Sequence, residues 1–217
     1  MKLITEDIET VDTLIEEGTN GSKSYTISGP FMQAEVKNRN GRLYPKHILE
    51  AQVAKYMSMV NENRAMGELN HPSSPNVNPV NASHLITELR WEGNDVVGKA
   101  RILNEDFPMA KIARGMIKEG IKFGVSTRGM GTVRKRSDGI NEVNKDFRLI
   151  CVDIVSDPSG PECFVNGIME QAEWVLNPIT GLYEAQIEQI RNEVKSTPRL
   201  TLEQKTALMN KFFKLLS

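Results

Sequence analysis

Leu149-Ile150-Cys151-Val152-Asp153-Ile154-Val155 is apolar on both faces of an extended strand, so it belongs inside a core rather than half in water. A single carboxylate interrupts it. Burying Asp153 unpaired would cost several kcal/mol or force it neutral, so a donor is expected beside it. A histidine ring N–H would serve, and so would an arginine such as Arg148 or Arg128. Working outward, Ile121 to Thr127, Met130 to Arg136 and Ile140 to Val155 read as strands, the last two joined across Ser137-Asp138-Gly139. Tyr25 to Val36 also suits strands. Ser83 to Trp91 and Val96 to Leu103 flank Glu92-Gly93-Asn94-Asp95, a hairpin signal.

Two stretches carry helical spacing instead. Pro45 opens one, with Leu49, Val53, Tyr56, Met57 and Val60 on its apolar side. The other places Met109, Ile112, Ala113, Met116 and Ile117 on one face and stops at Gly120. The fold class expected is α+β: a strand-rich core with two helices. Beyond Pro178 the pattern turns helical again, over Glu184 to Lys195 and then Leu202 to Leu216 after a Thr201 cap. The second of these carries more apolar surface than a lone tail needs, which predicts that it docks on something.

The 217 residues suffice for one substantial core with extensions. Residues 1–22 hold six acidic groups against one lysine and run into a Gly-Ser-rich stretch. The division expected is an acidic flexible arm over residues 1–23, a main domain over 24–176 and a helical extension over 177–217. A formal charge of -1 gives no overall attraction to nucleic acid or to an anionic membrane. Glu6 and Asp7 cut short the apolar start Leu3-Ile4, and no run approaches the ~20 apolar residues that span a bilayer. Cys151 and Cys163 are the only cysteines, expected as separate reduced thiols.

Three residues have settings that suit chemistry. Ser126 lies in Phe123-Gly124-Val125-Ser126-Thr127-Arg128-Gly129-Met130-Gly131, where the missing side chains of the glycines would let a substrate backbone approach. A glycine-rich turn with an idle serine is the competing reading. His71 stands at the head of a proline-rich loop, His71-Pro72-Ser73-Ser74-Pro75-Asn76-Val77-Asn78-Pro79, a rigid seat for a general base. Asp153 needs a partner, and His71 would fit. Glu68 and His71 also form an E-x-x-H spacing, but Pro72 and the lack of a matching partner argue against a metal, and no metal or other cofactor is expected. His47 and His84 are taken as structural or solvent-facing. Arg134-Lys135-Arg136 is read as a solvated hairpin tip, since it lacks the aromatic platforms of a nucleic-acid site.

Several blocks, in one order, resemble the prohead core proteases of T4-like phages: Phe31-Met32-Gln33-Ala34-Glu35-Val36, Asn38-Arg39-Asn40, Arg42-Leu43-Tyr44-Pro45, Gly67-Glu68-Leu69-Asn70-His71-Pro72 and Gly124-Val125-Ser126-Thr127-Arg128-Gly129. The similarity runs from about residue 25 to about residue 165. The resemblance implies a mainly antiparallel β-barrel of herpesvirus-protease type with surrounding helices. It also implies a serine endopeptidase that processes scaffold and core proteins and the major capsid protein within the assembling prohead, in the host cytoplasm. A homo-oligomer is expected, with neither membrane nor direct nucleic-acid partners. The family's histidine falls on His71 and its serine on Ser126. Herpesvirus enzymes use a second histidine as third member, whereas no histidine follows His84 here, and Asp153 is the best occupant. Arg128 and backbone N–H groups near Gly129 are candidates to support the oxyanion. The family's preference for cutting after glutamate points to self-cleavage at Glu17 and Glu184, although Glu50 matches equally well inside a helix. The alternative is a catalytically inactive barrel protein used for phage assembly.

Overall fold

The computed structural model describes residues 1–8, 11–17, 23–38, 40–72, 74–155, 174–185, 204–207 and 209–210. Its largest sheet has five strands in the order β2-β3-β7-β6-β5, with β2 at Asp12–Glu17, β3 at Lys23–Gln33, β5 at Met66–Glu68, β6 at Ala82–Glu92 and β7 at Asp95–Ile102. All its pairings are antiparallel. The expected hairpin is β6–β7, turning at Gly93-Asn94. A second sheet, β1-β8-β11, consists of Lys2–Ile8, Gly124–Gly131 and Arg148–Val155. A third joins β4 (Arg42–Leu43), β10 (Asn141–Val143) and β9 (Val133–Lys135). The remaining pair is β12 (Trp174–Leu176) with β13 (Tyr183–Ala185).

Helix α1 spans Lys46–Asn61 behind Pro45 and buries Ile48, Leu49, Val53, Tyr56 and Val60. Helix α2 spans Pro108–Lys118 and buries Ala110, Ala113 and Ile117. Ile112, expected on its apolar face, is exposed, because the small alanines are what let α2 lie close. The core runs continuously from Tyr25, Ile27 and Phe31 through Leu49 and Val53 to Val125, Val152 and Ile154.

The strand-rich α+β reading holds, but the barrel does not. Among the described residues the strands form separate sheets that do not close on themselves, with β2 and β5 as the two edges of the largest. The sheets meet at one parallel bridge, Leu69 to Ile154. The stretch expected as a flexible arm contributes β1 and β2, whose Leu3, Ile4 and Val11 enter the core. Glu184, expected to begin a helix, lies in β13 instead, paired with Val175. Cys163 falls outside the described residues; of the expected Leu202 to Leu216 helix only residues 204–207 and 209–210 are described, and these are helical. No described helix is long and apolar enough to cross a membrane.

Candidate active site

Strand β8 is buried along its whole length, flanked by β1 on one side and β11 on the other. Strand alternation puts Ser126 and Arg128 on one face of it. Across the β11 ladder, Asp153 stands opposite Ser126 and Cys151 opposite Arg128. Directly paired residues share a face, so four chemically active side chains converge before any loop is involved.

The histidine arrives from β5. After Glu68 the chain bridges to β11, with Asn70 N–H donating to Ile154 O at 2.7 Å. Asn70 takes a left-handed φ of 67°, which asparagine tolerates better than most residues, and its Oδ1 accepts the His71 N–H at 3.0 Å. This turn aims the ring over the β8–β11 face. His71 Nδ1 then lies 2.9 Å from Asp153 Oδ2, and His71 Nε2 lies 2.5 Å from Ser126 Oγ. A ring that donates from Nδ1 to the carboxylate has Nε2 free to accept the serine proton. Ser126 and Asp153 are fully buried and the His71 side chain is 7% exposed.

Beneath the histidine lies a buried charge network, of which the sequence offered the Asp153–Arg128 pairing but not Glu68. Arg128 donates from Nε to Asp153 Oδ2 at 2.9 Å and from Nη2 to Asp153 Oδ1 at 3.2 Å, a two-pronged pairing. Nη2 also reaches Glu68 Oε1 at 2.9 Å, and Nη1 donates to the carbonyls of Ser74 and Asn76 in the His71 loop at 2.5 and 3.4 Å. Glu68 N–H donates to Asp153 Oδ1 at 3.0 Å. Burial pushes the Asp153 carboxyl up, but the His71 hydrogen bond, the Arg128 guanidinium and the Glu68 N–H together hold it below the usual carboxylate range. Burial alone would lower Arg128; Cys151, Asp153 and Glu68 outweigh it and raise it. The Cys151 thiol is pushed up by burial.

Arg128, a candidate for oxyanion support, directs its side-chain donors to Asp153, Glu68 and the carbonyls of Ser74 and Asn76. Gly129 lies within the ladder between Ile4 and Leu149, and the ring of Phe147 covers its Cα: a β-carbon there would collide with the ring and come 2.8 Å from Arg148 O. Its missing side chain therefore admits Phe147, not a substrate. His84 is structural, as expected, but completely buried. Its Nε2–H donates to Val152 O at 2.9 Å while Nδ1 accepts from Ser83 Oγ, and burial lowers its pKa to about 4 against the opposing pull of Asp153 and the Val152 hydrogen bond. Gly67 makes this possible, because a β-carbon there would collide with both the His84 ring and Val152 O. Glu17 ends β2. Glu184 sits in the β12–β13 hairpin, which pairs through Trp174 with Met1 and through Tyr183 with the Asn76 side chain of the His71 loop, at 2.8 and 2.9 Å. Arg134 and Arg136 pair with Glu142 and Asp138 at the hairpin tip. Among the described residues no cluster of His, Cys, Asp and Glu is arranged to hold a metal ion.

The known proteins that this chain resembles converge on one family. The chain is 46% identical over 142 residues to the prohead core protein protease of Enterobacteria phage T4, covering 64% of this chain and 66% of that protein. It also matches the solved structure of the bacteriophage T4 capsid assembly protease, gp21, with a TM-score of 0.67 and 38% identity, over 74% of this chain and 98% of that one. The family described as prohead core protein serine protease matches residues 6–173, more than half of the sequence and all of the strands that build the site except the first residues of β1. The chain belongs to the prohead core protein serine protease family.

Proposed function

We propose that this chain is a serine endopeptidase of prohead maturation in which Ser126 is the nucleophile, His71 the general base and Asp153 the group that orients and stabilises the imidazolium. The observation that carries the reading is the continuous relay from Ser126 Oγ through the His71 ring to Asp153 Oδ2, with steps of 2.5 and 2.9 Å. In the first step Ser126 Oγ attacks the scissile carbonyl as its proton passes to His71 Nε2; the same proton then goes to the leaving amine, and water completes the cycle through an acyl-enzyme.

The names of the relatives, a prohead core protein protease and a capsid assembly protease, support prohead core and capsid proteins as substrates. Cleavage after glutamate by a homo-oligomer inside the assembling head completes the reading. Burial of Ser126 implies that a peptide enters only after covering chain moves. Self-cleavage after Glu17 would sever β1 and β2 from the rest, and β1 runs beside β8 with Asp7 in register opposite Ser126. Self-cleavage after Glu184 would follow release of the β12–β13 hairpin.

The test compares the parent with Ser126→Ala on prohead scaffold protein, with intact-mass measurement of both chains over time. Loss of a serine of this kind lowers rate by about 10⁶, so the variant should leave scaffold intact and keep its own full mass. Scaffold processing by Ser126→Ala at the parent rate would eliminate the serine mechanism. Identical parent and variant masses after long incubation would eliminate self-cleavage.

A further inference from the structure

Glu68 was passed over in the sequence as half of an unlikely metal spacing, yet it is buried, 1% exposed. Oε1 accepts both from Arg128 Nη2 and from the backbone N–H of Asn78, each at 2.9 Å. Asn78 is near the far end of the loop that begins at His71. Glu68 therefore touches the site three ways: its own N–H holds Asp153, its side chain holds Arg128, and it pins the returning end of the histidine loop.

The charge count shows what this arrangement does. Arg128 grips Asp153 with two donors, which by itself would cancel the carboxylate that His71 faces. Glu68 supplies a second negative charge. The buried set of Asp153, Glu68 and Arg128 then carries one net negative charge while His71 is neutral and balances when His71 is an imidazolium. In a site with little water, that difference favours the protonated ring formed as Ser126 attacks. The other titratable groups packed around it are Cys151 of β11, Tyr56 of α1 and His84 of β6. Burial keeps Cys151 and Tyr56 protonated and His84 neutral, so these three leave the count unchanged.

We propose that Glu68 is a positioning residue of the reaction, a fourth member that offsets Arg128 so that Asp153 can act on His71, and that also fixes the His71 loop. The proposal rests on the serine-endopeptidase reading above.

Its test needs no protein substrate. A fluorophosphonate reacts with an activated serine: the Ser126 Oγ–P bond forms, the P–F bond breaks, fluoride leaves and His71 takes the serine proton. Measured against pH on the full chain, the rate has an acid limb set by His71. In Glu68→Gln the Asp153–Arg128 pair sums to zero, so the imidazolium loses its balancing charge. The limb should move to lower pH by about one unit and the plateau rate should fall roughly tenfold. Glu68→Asp keeps the charge and should return the limb to the parent position, at a reduced rate because the shorter side chain reaches Asn78 less well. An unchanged limb and rate in folded Glu68→Gln would overturn the proposal while leaving the serine reading intact. Should the glutamine variant not fold, Glu68→Asp decides alone, and a limb displaced despite the retained charge would overturn it. A parent chain whose Ser126 is never labelled would bring down the serine reading and the proposal with it.

Discussion

Replacing Asp153 with asparagine separates the structural weight of the buried network from its chemistry. The change keeps shape and removes charge. Asp153 Oδ2 loses its pairing with His71 Nδ1 and Arg128 Nε, and Oδ1 loses Arg128 Nη2, all at 3.2 Å or less. Arg128 keeps Glu68, so the guanidinium is not stranded, but breaking a buried pair on one side still costs about 3–5 kcal/mol. For a chain of this size each kcal/mol moves the melting temperature by about 2–4 °C, so a fall of roughly 6–20 °C is expected. The experiment is a thermal melt of Asp153→Asn in a Ser126→Ala background, where self-digestion does not interfere. Its pH dependence is a second, independent check. An unfolded aspartate titrates near about 3.9 and the folded one lies lower. Between those values the unfolded chain binds the extra proton, so the stabilisation is fully present above about pH 5 and fades as the pH falls through the folded value. The gap between parent and variant should therefore be constant from pH 5 to 7 and close below about pH 4. A variant that melts within about 2 °C of the parent at pH 7, or a gap indifferent to acid, would refute the ion-pair account.

Gly129→Ala should destabilise the chain by about 1–3 kcal/mol, because Phe147 fills the space a β-carbon needs; unchanged urea unfolding would show that the ring moves aside freely. His84 gives a separate acid sensitivity. Its folded pKa of about 4 lies below the ordinary 6.5, so the stability it contributes is complete above about pH 6.5 and is lost as the pH falls toward 4, by about 3 kcal/mol in all. A pH series of melts should show that loss in the parent and a flatter profile in His84→Gln, and equal slopes for the two would count against it.

Local pattern was enough to read the β6–β7 hairpin, both helices and the burial of Asp153, because each depends on residues close in sequence. What it could not supply was the identity of long-range neighbours. Asp153 had three arginine or histidine candidates of equal chemistry, and the structure uses two of them at once, His71 and Arg128. The glycines of β8 signalled close approach without saying by what, and Phe147, contributed by a distant turn, turned out to be the visitor at Gly129. Residues 1–17 misled by their acidity, since charge is usually solvated, whereas Glu6 is buried in β1 beside β8. Glu68 was invisible as a partner because its two contacts, at Asn78 and Arg128, depend on how β5, β8 and a loop meet in space.

Two of the three groups proposed to react are fixed to each other by the ladder itself. Ser126 and Asp153 are direct cross-strand partners in the middle of a buried pair of strands, so the spacing between hydroxyl and carboxylate is as rigid as the backbone hydrogen bonds of β8 and β11. The molecule thus has a single adjustable coordinate, the placement of one imidazole. Among the described residues that coordinate is moored at four points: the Asn70 turn on Ile154, the Arg128 grip on Ser74 and Asn76, the Glu68 tie to Asn78, and the Tyr183 backbone on the Asn76 side chain. Misalignment enters this site by one door, and changes along residues 70–78 should reach the chemistry without disturbing the core.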